Sequence, residues 1–397
     1  MSLLGWVIFI VALLFSVMLH ESGHFVTAKK FGMKVTQYFV GFGTTLWSTR
    51  RGETEYGIKA LPLGGFVKIV GMTSMDEVDP ADEPRSFRRH PAWQRLIVLF
   101  AGSFMHFVLA LVLLFLLAAA IGLDNDNTTQ LGPVAACVPA NAKAFENGTC
   151  TASDRPSPAK AAGIQAGDKV VSFDGKPVSS WIALGNDIRS TPAHRTVPVV
   201  VLRDGHQVTL HVTLAAVGGR SGSYLGVEST NVFERYNPIR SVTYAGSMFG
   251  QVLTGSAKEI GSLPAAIPHL FAKNRSSTAA GQVTSVVGAG EITGDVVSAS
   301  VGWQVKVDYV LLIVASLNIF VGAFNLLPLL PLDGGHVAVI VWERIRAWFA
   351  RLRHRPDPGL VDMRKVLPVS FSIFMVIVFF SLMLILADIV NPVTSIQ

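Results

Sequence analysis

Apolar and polar positions along this 397-residue chain fall into long blocks. Residues 2–19, 96–123, 309–332 and 366–387 contain no Asp, Glu, Lys or Arg. Each block is near or above the roughly 18–20 residues that a helix needs to cross a hydrocarbon layer. A helix satisfies its own backbone N–H and C=O groups, which lipid cannot do. The pattern predicts four transmembrane helices, because buried helices of soluble proteins rarely stay charge-free for so long. The first block lacks the basic start and small-residue cleavage site of a secretory signal, so it reads as a retained span.

Between these blocks the pattern changes. Segment 35–70 holds two β-rich runs around the polar turn Thr49-Arg50-Arg51-Gly52-Glu53, which predicts a hairpin. Its apolar residues, among them Tyr38, Phe39, Phe42, Trp47 and Phe66, suit a hairpin that dips into the membrane beside protein. Segment 130–229 is soluble in composition. It predicts a strand at Lys169–Phe173, a turn at Asp174-Gly175 and a helix around 180–190. A strand at Thr196–Arg203, a turn at Asp204-Gly205 and a strand at Gln207–Leu214 follow. Segment 237–307 is intermediate in polarity and suits interfacial helices. The predicted fold class is an α-helical membrane protein with four transmembrane helices and a membrane-associated β-hairpin, plus an extracytoplasmic α+β domain. The expected divisions are 1–123 (spans 1 and 2 with the hairpin), 130–229 (the soluble domain), 237–307 (a linker) and 308–397 (spans 3 and 4).

Charge adds orientation. Only 15% of residues are charged, against about 25% in an ordinary soluble domain. Segment 29–95 carries eleven Lys/Arg and segment 343–365 carries seven. Lys and Arg mark the cytoplasmic side. Both termini and segment 124–308 are then expected outside, and the protein in the plasma membrane as a multi-pass chain. The net charge of +6 follows from this placement. The basic residues flank spans and form no face with interleaved aromatics, so no nucleic-acid partner is expected. Cys137 and Cys150 lie in the segment placed outside, where an oxidising compartment allows a disulfide. No His or Cys sits at ligand spacing beside them.

The chemistry begins at His20-Glu21-Ser22-Gly23-His24. Residues four apart share a helix face, so both imidazoles can reach one zinc ion with Glu21 beside it as general base. Ionisable groups inside a span are costly and functional by default. Ser22 and Gly23 are small, which suits close helix contact. Zinc needs a third protein ligand. The third block ends in Asn325-Leu326-Leu327-Pro328-Leu329-Leu330-Pro331-Leu332-Asp333-Gly334-Gly335, where prolines break the helix and Asp333 supplies a carboxylate. Topology places Asp333 at the same membrane face as His24.

These motifs resemble the site-2 protease family, the bacterial zinc intramembrane metalloproteases. His20 to His24 matches its HExxH motif, and Asn325 to Gly334 resembles its NxxPxPxxDG motif, with Leu330 in place of the second proline. Gly41-Phe42-Gly43 and Leu61-Pro62-Leu63-Gly64-Gly65-Phe66 resemble its membrane-inserted β-loop. Gly102-Ser103-Phe104-Met105-His106 departs from a GPxxN pattern, leaving His106 either to support the site or to pack. The order of elements in 130–229 resembles a circularly permuted PDZ domain. In it Tyr224-Leu225-Gly226-Val227 would cradle a peptide C-terminus, or the domain would only exclude bulky substrates. The wording of 41–66 and the cysteine pair look most like the actinobacterial branch. The resemblance implies His20, His24 and Asp333 as Zn2+ ligands, Glu21 as general base and Asn325 as a substrate-holding residue. The implied substrates are single-span proteins in the lipid bilayer, such as trimmed anti-sigma factors. A zinc-binding transporter or sensor would instead show broken helices in two matching halves, and an inactive PDZ scaffold would not need the motif residues.

Overall fold

The structure is a computed structural model describing residues 3–73, 76–124, 128–141, 144–145, 149–151, 153–218, 221–230, 232–271, 285–299 and 301–390. The chain forms two compact units, Met1–Ala119 with Asn237–Ile396, and Ala120–Tyr236. The first unit begins with α1 (Leu3–Lys30), which runs well past the charge-free block and carries the His20–His24 motif inside it. Next comes a hairpin of β1 (Val35–Arg51) and β2 (Thr54–Ile69), closed where Arg51 pairs with Thr54. Its turn is held by Glu53, which accepts from Lys29 and, through both carboxylate oxygens, from Arg85 at 2.7 and 2.9 Å. Arg85 first, and Lys29 with it, hold the Glu53 carboxyl down at about 2. Helix α2 (Ala92–Leu116) then continues through one wider turn, Leu117–Ile121. Ala28, Met33, Val35, Ile69, Phe87, Val98 and Leu99 form a core that ties α1, the hairpin and α2 together.

The second unit is a mixed α+β domain. It contains β3 (Leu123–Asp124), β4 (Leu131–Val134), the short α3 (Pro158–Ala161), β5 (Lys169–Phe173), β6 (Lys176–Pro177) and α4 (Trp181–Ser190). It ends with β7 (Thr196–Arg203), β8 (His206–Thr213), β9 (Ala215–Ala216), β10 (Ser223–Tyr224), β11 (Val227–Ser229) and β12 (Phe233–Glu234). The main sheet has the order β6-β5-β7-β8. Its two hairpins turn on Asp174-Gly175 and Asp204-Gly205, all four residues with φ between 48° and 82°. Asp and Gly tolerate that left-handed region, which the twist of two-residue hairpin turns demands. Val170, Phe173, Leu184, Ile188, Val197, Val199, Val201, Val212 and Leu225 fill the core. Cys137 and Cys150 are joined as a disulfide.

One ion pair closes this core. Asp168 is buried, accepts from Arg203 Nε at 2.8 Å and Nη2 at 2.6 Å, and accepts from the Gln165 N–H at 2.9 Å. Burial alone would raise its pKa, but the Arg203 pair and the Gln165 amide win and hold it low. Its ionised form therefore stabilises the fold fully above about pH 4, the unfolded value. That contribution is lost as pH falls through the lowered folded value. Asp168→Asn is expected to lower the melting temperature of the purified chain at pH 7 and to flatten the acid limb of its stability profile. Unchanged melting would remove the pair as a stabilising element.

The first unit resumes with α5 (Pro238–Ala266), α6 (Val286–Ser298) and α7 (Trp303–Asn325). It closes with α8 (Asp333–Leu352) and α9 (Met363–Val390). Helix α7 starts ahead of the third charge-free block, with Lys306 donating to the Val297 carbonyl, and stops at Asn325, three residues before Pro328. Among the described residues, four helices are long and apolar enough to cross a membrane: Leu3–Lys30, Ala92–Ile121, Trp303–Asn325 and Met363–Val390. Segment 237–307, expected from sequence as a linker suited to interfacial helices, contributes α5 and α6. Ala245 of α5 packs with Ala110, Leu114, Ala315 and Ile319 of α2 and α7.

Candidate metal centre

Three elements converge on one point. One helical turn of α1 brings His20 and His24 to the same face, with their Nε2 atoms 3.0 Å apart. The break after Asn325 lets the chain reverse, so that Asp333 opens α8 directly against them. Asp333 Oδ2 lies 3.3 Å from both Nε2 atoms, yet makes no hydrogen bond of acceptable geometry although it is buried. A tetrahedral zinc site with bonds of about 2.0–2.2 Å sets its ligand atoms about 3.3–3.6 Å apart. Two edges of 3.3 Å, a donor set of two imidazoles and one carboxylate, and an orphaned carboxylate oxygen at their meeting point fit a zinc ion, and the 3.0 Å edge between the imidazoles is about 0.3 Å short of that spacing. Among the described residues, His20, His24 and Asp333 are the group able to hold a metal.

The His24 imidazole is oriented from behind. His24 Nδ1 donates to the Val98 carbonyl on α2 at 2.7 Å, which leaves the Nε2 lone pair facing the centre. Helix α2 comes this close because of two glycines. A Cβ on Gly23 would lie 2.4 Å from the Ala101 carbonyl oxygen, and one on Gly102 would lie 2.5 Å from His24 Nε2 and 2.6 Å from His20 Cε1. Ser22, the other small residue of the motif, does not serve helix contact. Its hydroxyl lies 2.8 Å from the Tyr38 hydroxyl on β1, which in turn donates to the Met18 carbonyl at 3.0 Å. With Phe25 and Tyr56 packed on Tyr38, these bonds dock the hairpin on α1. Glu21 faces the hairpin too: a Cβ on Gly65 would lie 3.5 Å from Glu21 Cγ.

His106 lies beside the centre. Its ring centroid is 5.0 Å from that of His20, and its Nδ1 donates to Asn318 Oδ1 at 2.7 Å. Asn318 donates to Ser16 Oγ at 3.0 Å and to the Val314 carbonyl at 2.8 Å. This buried chain links α1, α2 and α7 behind His20. Asn318 and Ser16 were missed from sequence, as a lone Asn or Ser in an apolar run gives no sign of its partner. Asn325 is half-buried at the C-terminal end of α7 and is not one of the three converging residues. Tyr224, Leu225, Gly226 and Val227 lie in the other unit, where they join β10 to β11.

The model of peptidase family M50 matches residues 8–355. The zinc metalloprotease Rip1 of Mycobacterium tuberculosis is 38% identical over 417 aligned residues, covering 100% of each chain. Rip1 of Mycolicibacterium smegmatis is 38% identical, covering 99% of each. The zinc metalloprotease RasP of Bacillus licheniformis is 24% identical, covering 83% of this chain and 88% of its own.

Proposed function

The chain belongs to peptidase family M50 and is a multi-pass zinc metalloprotease of the membrane, and from that premise we propose that it hydrolyses peptide bonds inside the membrane segments of single-span proteins. The observation that carries this reading is the convergence of His20 and His24, on a helix of membrane-crossing character, with Asp333, which follows another such helix by seven residues, at edges of 3.0–3.3 Å. In this reading His20 Nε2, His24 Nε2 and Asp333 Oδ2 hold the zinc ion. When bound, zinc supplies Lewis-acid chemistry, acidifying water and polarising the scissile carbonyl. The Glu21 carboxylate takes the proton released from water and hands it to the leaving amine. The hairpin docked beside Glu21 offers strand edges to a substrate that has left its helix, and Asn325 helps hold that unwound segment.

Orientation belongs to the same proposal. The Lys/Arg-rich segments 29–95 and 343–365 sit on the cytoplasmic side, and the α+β unit with both termini outside. That unit acts as a PDZ-like filter. The Tyr224–Val227 loop fits this role because it leads into β11, which pairs with β4, and because Leu225 shares a core with Leu184 and Ile188 of α4. The substrates proposed are trimmed single-span proteins, anti-sigma factors among them.

The test is to reconstitute the protein with a single-span substrate and map the cut by mass spectrometry. A cut within the substrate's apolar segment, abolished by a zinc chelator and restored by zinc, is the expected result. A cut only in soluble segments would overturn the reading. Asp333→Ala is expected to lose most of its zinc under the same purification, and full zinc occupancy would remove Asp333 as a ligand.

A further inference from the structure

Helix α8 has three kinds of surface. Ile340, Glu343 and Ala347 are buried, with Glu343 paired to Arg95 at 3.3 Å. At 100° per residue, Val341, Trp342, Ile345, Trp348, Phe349 and Leu352 fall within an arc of roughly 120° on the opposite side. That arc is exposed: Trp342 by 55%, Trp348 by 57%, Phe349 by 50% and Leu352 by 58%. Arg344 and Arg351 border the arc on one side and Arg346 on the other. A soluble surface does not carry such an apolar stripe without a partner, and a membrane-crossing helix does not carry three arginines along its length.

The chain itself says how far from the bilayer this stripe can lie. Helix α8 is tethered at both ends to helices of membrane-crossing character, by residues 326–332 from α7 and 353–362 to α9. Such short connections keep it at the membrane boundary, at about 3.3–3.6 Å per residue at most. Segment 343–365 holds seven Lys/Arg against three acidic residues, and one of those, Glu343, is already taken by Arg95. An apolar stripe with arginines along both borders matches a helix lying in the headgroup layer, with guanidinium groups reaching outward to lipid phosphates.

We propose that the exposed face of α8 is a docking surface for anionic lipid, with Trp342, Ile345, Trp348 and Phe349 set among the upper acyl chains and Arg344 and Arg351 bound to headgroup phosphates. The contact fixes the depth of the helix whose first residue is Asp333. Each arginine near an anionic surface favours it by roughly fivefold.

Tryptophan quenching by brominated lipid tests this on the full chain. The protein is reconstituted in vesicles of phosphatidylcholine and phosphatidylglycerol, with the bromine placed on one lipid or the other in equal amounts. The signal of α8 is the difference between wild type and the Trp342→Phe/Trp348→Phe variant. Expected is quenching several-fold stronger from brominated phosphatidylglycerol. That preference should fall to unity in Arg344→Gln/Arg351→Gln and return in Arg344→Lys/Arg351→Lys. Equal quenching by both lipids in wild type would overturn anionic recognition. Absence of quenching would overturn lipid docking altogether, and cross-linking of Ile345→Cys between copies would then assign the stripe to a second copy of the chain.

Discussion

Glu21→Gln is expected to keep its zinc and to lower the rate of peptide cleavage by about 10²–10⁴-fold, the usual contribution of a positioned general base. The two side chains have nearly the same shape, so packing against Gly65 and the register of α1 survive. Glu21 is also outside the trio of converging donor atoms, so the zinc ligands are untouched. What the amide lacks is a basic oxygen able to take a proton from water and return one to the leaving nitrogen. The loss should therefore appear in kcat, with zinc content per chain and substrate affinity unchanged. Kinetics on a reconstituted single-span substrate, with metal content measured on the same samples, separate these effects. Cleavage comparable to wild type would remove Glu21 from the proton transfer, and loss of zinc would reassign it as a ligand or a structural support.

The parts of this protein that could be read from sequence are those where the signal is local. Charge-free runs mark the four long apolar helices because lipid excludes unpaired charge over a fixed length. His20 and His24 share a face by helical period alone, and the prolines at 328 and 331 mark the break that ends α7. The Asp-Gly turns of the α+β unit were legible for the same reason, since few residue types accept their φ values. What stayed hidden is set by which elements cross, and spacing along one helix does not carry that information. Val98 reads as an ordinary position in an apolar run and Gly102 only as the first residue of a motif-like stretch, though one orients His24 and the other leaves room for both imidazoles. Ser22 was read as a small residue for helix contact, yet it binds Tyr38 of a hairpin sixteen positions away. Segment 237–307 suits interfacial helices from sequence but shows no bounds for them, because α5 and α6 carry Gly and Ser where a solitary helix would weaken. Their packing against α1, α2 and α7 compensates.

Gly102→Ala is expected to lower zinc affinity by about 10- to 100-fold, the range seen when groups that orient metal ligands are disturbed. The added methyl would lie 2.5 Å from His24 Nε2 and 2.7 Å from His20 Nε2, the atoms assigned here to zinc. Relief by moving His24 is opposed by its bond to the Val98 carbonyl. Relief by moving α2 is opposed by the Gly23 contact, where the helices already touch backbone to side-chain position. The strain therefore falls on the ligands, and activity should fall with the zinc. Ser103→Ala, one residue along the same helix, is the matched control. The Ser103 hydroxyl is buried without a hydrogen-bond partner among the described residues, so its removal relieves an unsatisfied group and should leave zinc content and melting temperature unchanged or raised. Metal content measured against a graded zinc buffer distinguishes the two variants. If Gly102→Ala binds zinc as tightly as wild type, the close approach of α2 does not shape the site, and the placement of His20 and His24 must be credited to α1 and α8 alone.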